Sequence, residues 1–148
     1  MKVRIAAIGK MAAMWQPACD EYSHRLKHYC RLDIVEAPEG EGTHAKQAEG
    51  EKLLRLTPQG AYRIALDVGG RPLDSLAFSK KIETLRDAAR PVCFWLGGSD
   101  GFDAAVLHQA DERLSFSSLT FSHQLARVIL LEQLYRGFRI MYHQPYHK

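Results

Sequence analysis

Two segments in the last third of the chain carry groups able to do chemistry. Gly97-Gly98-Ser99-Asp100-Gly101 follows the apolar run Val-Cys-Phe-Trp-Leu at 92–96. Glycine there lets the backbone turn with positive φ or come close to a ligand. The run lacks the full GxGxxG spacing and the lysine of a phosphate-binding loop, so a plain tight turn is the alternative reading. Residues 114–121, Leu-Ser-Phe-Ser-Ser-Leu-Thr-Phe, alternate apolar side chains with small hydroxyls. They read either as a strand edge with a helix cap or as a pocket wall. In a wall, backbone groups would bond a heteroaromatic ring while Leu and Phe cover its faces. Adenine needs that mixture, because burying its polar edge unpaired is costly.

His123 stands in the first turn of the helical pattern that follows. A positive helix N-terminus favours the neutral imidazole, and a neutral imidazole can accept a proton. An exposed polar residue with no such role is the plainer alternative. Arg127 lies one turn further along the same face. Glu132 and Arg136 have the spacing of a helix ion pair, although Arg127, Arg136 and Arg139 could instead meet phosphates. The last residues are Pro145-Tyr146-His147-Lys148. Termini usually fray, so a tail this rich in rings and ionisable groups suggests one that is tied down and used. His143, Tyr146 and His147 lack zinc-site spacing. Tyr146 and His147 suit RNA, one stacking on a base while the other bonds its edge.

The elements that must position these groups alternate along the chain. Strands are predicted at 3–8, 32–37, 62–68, 92–96 and 113–116, with a turn at Gly69-Gly70-Arg71-Pro72. Helical spacing runs over 15–29, 45–55, about 75–88, 103–110 and 122–142, with Asp74 or Ser75 capping the third and Ser122 or Thr120 the last. Such alternation implies one α/β domain over 1–148, with a mostly parallel sheet and helices on both faces. Ligands of open α/β sheets bind beyond the carboxyl ends of strands. The loops after the third, fourth and fifth strands are therefore the candidate site. The stripe Leu131, Leu134, Tyr135, Phe138 and Met141 reads as core or subunit interface.

Composition narrows the class. The 148 residues are 46% hydrophobic and 25% charged, ordinary globular values. No run is long enough to span a membrane and no secretory signal opens the chain, so a soluble cytoplasmic protein is expected. Cys19, Cys30 and Cys93 fit neither a disulfide framework nor a zinc pattern. A formal charge of +3 permits a nucleic-acid partner without requiring one.

Taken together, several runs resemble the RlmH family, which belongs to the SPOUT class of knotted methyltransferases. They are Leu-Gly-Gly-Ser-Asp-Gly-Phe at 96–102, residues 114–124, Arg-Val-Ile-Leu-Leu-Glu-Gln-Leu-Tyr-Arg at 127–136 and the Pro-Tyr-His-Lys tail. With the Met-Lys-Val-Arg-Ile start, the resemblance covers the whole chain. It implies methylation of a pseudouridine at N3 in large-subunit (23S) ribosomal RNA. It also implies a C-terminal trefoil knot, a homodimer with the site near the subunit interface, and S-adenosylmethionine in the knotted loops. The family's cofactor positions fall on Leu66, Gly97, Phe116, Ser117, Ser118, Leu119, Thr120 and Phe121. Two departures stand out: Phe121-Ser122-His123 replaces the usual Phe-Pro-His or Leu-Pro-His, and residues 39–44 are shorter than in many relatives. Serine caps a helix as well as proline starts one.

Methyl transfer to a ring imide nitrogen requires loss of its proton, or donors that stabilise the anion. The expected catalytic groups are His123, Arg127, Tyr146 and His147. His123 and His147 are the candidate bases, Arg127 an oxyanion or phosphate partner, and Tyr146 a stacking or hydrogen-bonding group. No metal is expected. The modest charge suggests that much of the RNA-binding surface comes from the assembled ribosome. The alternative is a non-catalytic, knotted RNA- or ribosome-binding protein, against which the Gly97-Gly98 turn and the 116–121 loop argue. A Rossmann-type nucleotide enzyme would need a glycine fingerprint at the first strand, where Gly9-Lys10-Met11-Ala12 stands instead.

Overall fold

The computed structural model describes all 148 residues. Its elements alternate: β1 (Lys2–Ile8), α1 (Gln16–Leu26), β2 (Arg31–Ala37), α2 (Ala45–Leu56), β3 (Tyr62–Pro72), α3 (Ser75–Asp87), β4 (Val92–Leu96), α4 (Ala104–Leu107), β5 (Glu112–Ser115) and α5 (His123–Met141). All five strands are parallel in one sheet, in the order β2-β1-β4-β3-β5.

Side chains alternate across a strand, and this sheet is covered on both faces. In β4 every residue is buried. Val92, Phe94 and Leu96 face a core shared with Leu26 of α1, Ile82 of α3, and Leu130, Leu134 and Phe138 of α5. Cys93 and Trp95 face a smaller core with Leu53 of α2 and Val106 of α4. Burying each large side chain is worth about 1.5–3 kcal/mol, so the longer helices α1, α3 and α5 hold the dominant layer. Leu131, Leu134 and Phe138 of the apolar stripe are spent in this core, while Tyr135 and Met141 lie at its edge.

Helix caps follow from local chemistry. Asp74 caps α3, accepting from the Ala77 N–H at 2.7 Å. Ser122, rather than Thr120, caps α5 by accepting from the Leu125 N–H. The 69–72 segment is not the expected turn, because β3 continues to Pro72. Against β5, however, Leu66 and Arg71 both oppose Leu114, so the residues between them bulge out. Gly70 makes this possible: a Cβ there would stand 2.7 Å from the Arg113 carbonyl carbon. No helix is long and apolar enough to cross a membrane.

Candidate functional site

A cavity of about 680 Å³ opens beside the bulge of β3 and the carboxyl ends of β4 and β5, walled by that bulge and the loops that leave β4 and β5. At the end of β4 the chain turns sharply. The Gly101 N–H donates to the Gly98 carbonyl at 3.0 Å, and Gly101 itself has φ +78°. A Cβ on Gly97 would lie 3.1 Å from the Gly101 carbonyl oxygen, which is backbone and cannot swing aside. A Cβ on Gly98 would lie 3.0 Å from Oε2 of Glu49, on the side away from solvent. Glu49 comes from α2, is 7% exposed, and that oxygen has no hydrogen-bond partner. Gly97 is pressed against the backbone of its own loop, while Gly98 closes on the end of the Glu49 side chain.

The wall after β5 is set by two short bonds. The Ser115 hydroxyl donates to the Ser117 carbonyl at 2.8 Å, and the Ser117 hydroxyl accepts from the Leu119 N–H at 3.0 Å. Phe116 packs edge-on to Phe78. Leu66, Gly97, Phe116, Ser117, Leu119, Thr120 and Phe121 all line the cavity, as does His123. Ser118 does not; it sits at the back of the tight Ser117–Leu119 turn. The sequence reading missed Asp67 and Val68, which the β3 bulge carries to the rim. Asp100 and Phe102, both within the 96–102 run singled out in the sequence, line the cavity as well. The glycine pair at 69–70 is the sequence signal for the bulge, since it suits a bulge as well as a turn. Asp67 is paired with Arg113 at 2.6 Å.

The other expected catalytic residues lie elsewhere. Arg127 is 3% exposed and points inward. It donates from Nη1 to Glu36 at 2.5 Å and from Nη2 to the Gly9 carbonyl at 3.0 Å, and its unpartnered Nε is buried away from solvent. Burial pushes the Glu36 carboxyl up. The bonds it accepts from Arg127 and from the Met11 N–H outweigh that and hold it below the usual glutamate range.

The tail folds back along α5. His143 has φ +55°, the Gln144 N–H reaches the Arg139 carbonyl and the His143 N–H reaches that of Ile140. This is a Schellman motif with histidine at the left-handed position glycine normally takes. Tyr146 then rests on α5. Its ring meets Tyr135 edge-on, Arg136 lies 4.8 Å above it, and its hydroxyl donates to Glu132 at 3.1 Å. Burial, with Tyr22 and the Glu132 carboxylate beside it, pushes the phenol above its usual range, so Tyr146 keeps its proton. His147 Nδ1 lies 3.3 Å from Arg136. A guanidinium can only donate, so Nδ1 is the accepting atom. Glu132 is nine residues beyond His123 along α5, roughly 14 Å at 1.5 Å per residue. One chain thus brings His123 to the cavity and leaves Tyr146 and His147 more than two turns away.

The chemistry of the cavity suits a flat heteroaromatic ring: apolar faces from Leu66, Phe116 and Phe121, backbone edges from the two loops, and an imidazole at its border. No cluster of three or more His, Cys, Asp or Glu is placed to hold a metal ion. A protein-family model described as "Predicted SPOUT methyltransferase" matches residues 1–147. Ribosomal RNA large subunit methyltransferase H of Clostridium kluyveri is 41% identical over the full length of both chains. Those of Anaeromyxobacter dehalogenans, at 42% over both full lengths, and Gluconacetobacter diazotrophicus, at 43% over 99% of this chain and 97% of its own, agree. The chain belongs to the SPOUT methyltransferase family. Within it, the full-length likeness places the chain with the methyltransferase H (RlmH) proteins, and it is a methyltransferase. Solved structures reproduce the fold. A probable methyltransferase from Bordetella pertussis aligns over 92% of this chain and 95% of its own, with TM-score 0.59 at 14% identity. A probable methylase family protein from Haemophilus influenzae covers 99% of this chain and 70% of its own, with TM-score 0.58 at 12% identity.

Proposed function

We propose that this SPOUT enzyme methylates N3 of a pseudouridine in large-subunit ribosomal RNA, with S-adenosylmethionine as donor, on assembled ribosomes in the cytoplasm. The observation that carries the reading is the cavity itself. It is walled by the three segments to which the RlmH resemblance assigns the cofactor, in a chain alike over its full length to proteins named for large-subunit RNA methylation. The residues present fit the donor: Leu66, Phe116 and Phe121 offer apolar faces to the space, and the tight Gly97–Gly101 turn offers it backbone edges.

When bound, S-adenosylmethionine supplies an activated methyl group: its S–CH3 bond breaks as the N3–CH3 bond forms, and S-adenosylhomocysteine leaves. The chain's own task is to orient the acceptor and remove the N3 proton. His123 Nε2 or Nδ1 is the base nearest the cavity, and His147 is the other candidate. Tyr146, protonated, stacks on the base or donates to it, and does not act as the base. Separation of the tail from the cavity within one chain supports the homodimer implied by the resemblance, with the site near the subunit interface. The trefoil knot belongs to the same reading.

The test is transfer of labelled methyl to ribosomes and to naked 23S RNA, followed by mapping of the label. Label at N3 of one pseudouridine, in ribosomes above naked RNA, is expected. Cofactor binding with no transfer to either would favour a non-catalytic RNA-binding protein.

A further inference from the structure

The proposed site leaves one group of contacts unused. The β1–α1 turn, Gly9 to Ala12, lies outside the cavity, yet the first turns of α5 hold it from several sides. Arg127 donates from Nη2 to the Gly9 carbonyl at 3.0 Å and from Nη1 to Glu36 at 2.5 Å. Glu36 also accepts from the Met11 N–H at 2.9 Å, and Gln124 Oε1 accepts from the Ala12 N–H at 2.8 Å. The Gly9 N–H donates to the Ala37 carbonyl at 2.8 Å. Two of these bonds join residues more than a hundred positions apart in sequence.

The turn in its place supports His123. A Cβ on Gly9 would lie 3.2 Å from His123 Nε2 and 3.4 Å from Glu39 Oε1. Gly9 has φ +91°, so only glycine gives both the bend and the room. Glu39 stands 3.8 Å from His123 Nε2. The imidazole therefore has the cavity on one side and Gly9 on the other, with a carboxylate beside its nitrogen.

We propose that Arg127 and Gln124 are positioning residues: they fasten the Gly9–Ala12 turn beneath α5, and that turn with Glu39 sets the orientation of the His123 ring at the cavity. Arg127 suits this task through its fork, since one rigid plane reaches a carboxylate and a carbonyl at once. A lysine would keep the charge beside Glu36 but could not reach both. Arg127 is buried while Glu36 stays partly exposed, so losing the fork leaves the carboxylate to water but frees the Gly9–Ala12 turn from α5. The inference rests on His123 serving the acceptor in the proposed reaction, but the ring's orientation can be read without that reaction.

The experiment compares wild type, Arg127→Lys and Gln124→Ala. The first reading is the nitrogen-15 resonances of the His123 ring, assigned against His123→Ala. The second is steady-state methyl transfer to ribosomes, with cofactor affinity by calorimetry. The His123 resonances should move in both variants, more in Arg127→Lys. There kcat should fall about tenfold to a hundredfold, as small misplacements of a reacting group do, with cofactor affinity unchanged. Gln124→Ala is the milder variant and answers the question should Arg127→Lys not fold. Wild-type His123 resonances in the folded variants overturn the proposal. So does a rise in KM for ribosomes with kcat and resonances unchanged, which would make Arg127 a direct RNA contact. An inactive wild type would remove the proposed function while the resonances still decide the positioning.

Discussion

The cavity takes its shape from backbone: Gly97 pressed to Gly101, Gly98 against buried Glu49, and a serine-locked turn at Ser115–Leu119. The C-terminal tail takes its shape from side chains. Arg139 donates to the Tyr29 hydroxyl and to the Pro145 carbonyl, Arg136 covers Tyr146, and Glu132 accepts from the Tyr146 hydroxyl. Backbone walls within a packed sheet have little freedom to rearrange. Partly exposed contacts of arginine and tyrosine are individually weak and can be exchanged for equivalent partners on RNA. Under the proposed function, the preformed region suits the cofactor and the exchangeable one the substrate.

Deleting Tyr146–Lys148 should break the comparison most severely. It removes no strand and no part of α5, so folding and cofactor binding should remain, while methyl transfer falls about a hundredfold or more. Calorimetry and a transfer assay on the same preparation check this. Loss of cofactor affinity would place the tail in the cofactor site and erase the division. His123→Ala and His147→Ala, followed across pH, then separate the two bases, because loss of the true one flattens the rate profile.

Gly97→Val tests the other region. Its side chain must displace the Gly101 backbone, and overpacking of that kind costs about 1–3 kcal/mol, roughly tenfold to a hundredfold in cofactor affinity. Equal binding by wild type and variant would remove Gly97 from the site.

A smaller effect sharpens the comparison at the tail. His143 occupies the left-handed region at φ +55°, where a side chain costs roughly 1–2 kcal/mol. His143→Gly should raise thermal stability by about 1 kcal/mol without changing cofactor affinity, as read from unfolding curves and calorimetry. A fall in stability would mean that the imidazole makes a contact worth more than the strain.

The smallest expected effect lies at the opposite end of the sheet from the cavity, where Asp111 precedes β5. Burial pushes the Asp111 carboxyl up, but the Arg63 N–H at 2.8 Å and its guanidinium outweigh this and hold the group below the usual aspartate value. A lowered folded pKa gives stability that is present above the unfolded value near 3.8 and is lost as pH falls through the folded one. Asp111→Asn should therefore be less stable than wild type at neutral pH, and the gap should close in acid. A gap independent of pH would show that the amide loses packing rather than charge.

Much of the fold was legible because its cues are local. Short apolar runs mark the strands, and Asp74 and Ser122 mark helix starts. The strand-end rule then pointed to the loops that form the cavity, and seven of the eight expected cofactor positions line it. Ser118 stands outside the cavity wall at the middle of the Ser117–Leu119 turn, a detail of hydrogen bonding that composition does not carry. The 69–72 segment was misread because Gly-Gly-Arg-Pro is compatible with a turn. Whether it bulges instead depends on pairing with Arg113 and Leu114, more than forty residues later.

The sequence by itself determined which residues have chemistry to offer and which stretches are strand, helix or loop, because propensity, periodicity and capping act over a few neighbours. Only the tertiary structure decided what those residues face. Arg127 reads as a free cation on a helix surface and is in fact buried against Glu36 and Gly9, since the face α5 turns inward is fixed by the whole core. Gly9 reads as the end of a strand and becomes the floor under His123. Long-range contacts of this kind join positions whose separation in the chain says nothing about their distance in space. They form only when the parallel sheet brings the ends of β1, β2 and the start of α5 to one edge.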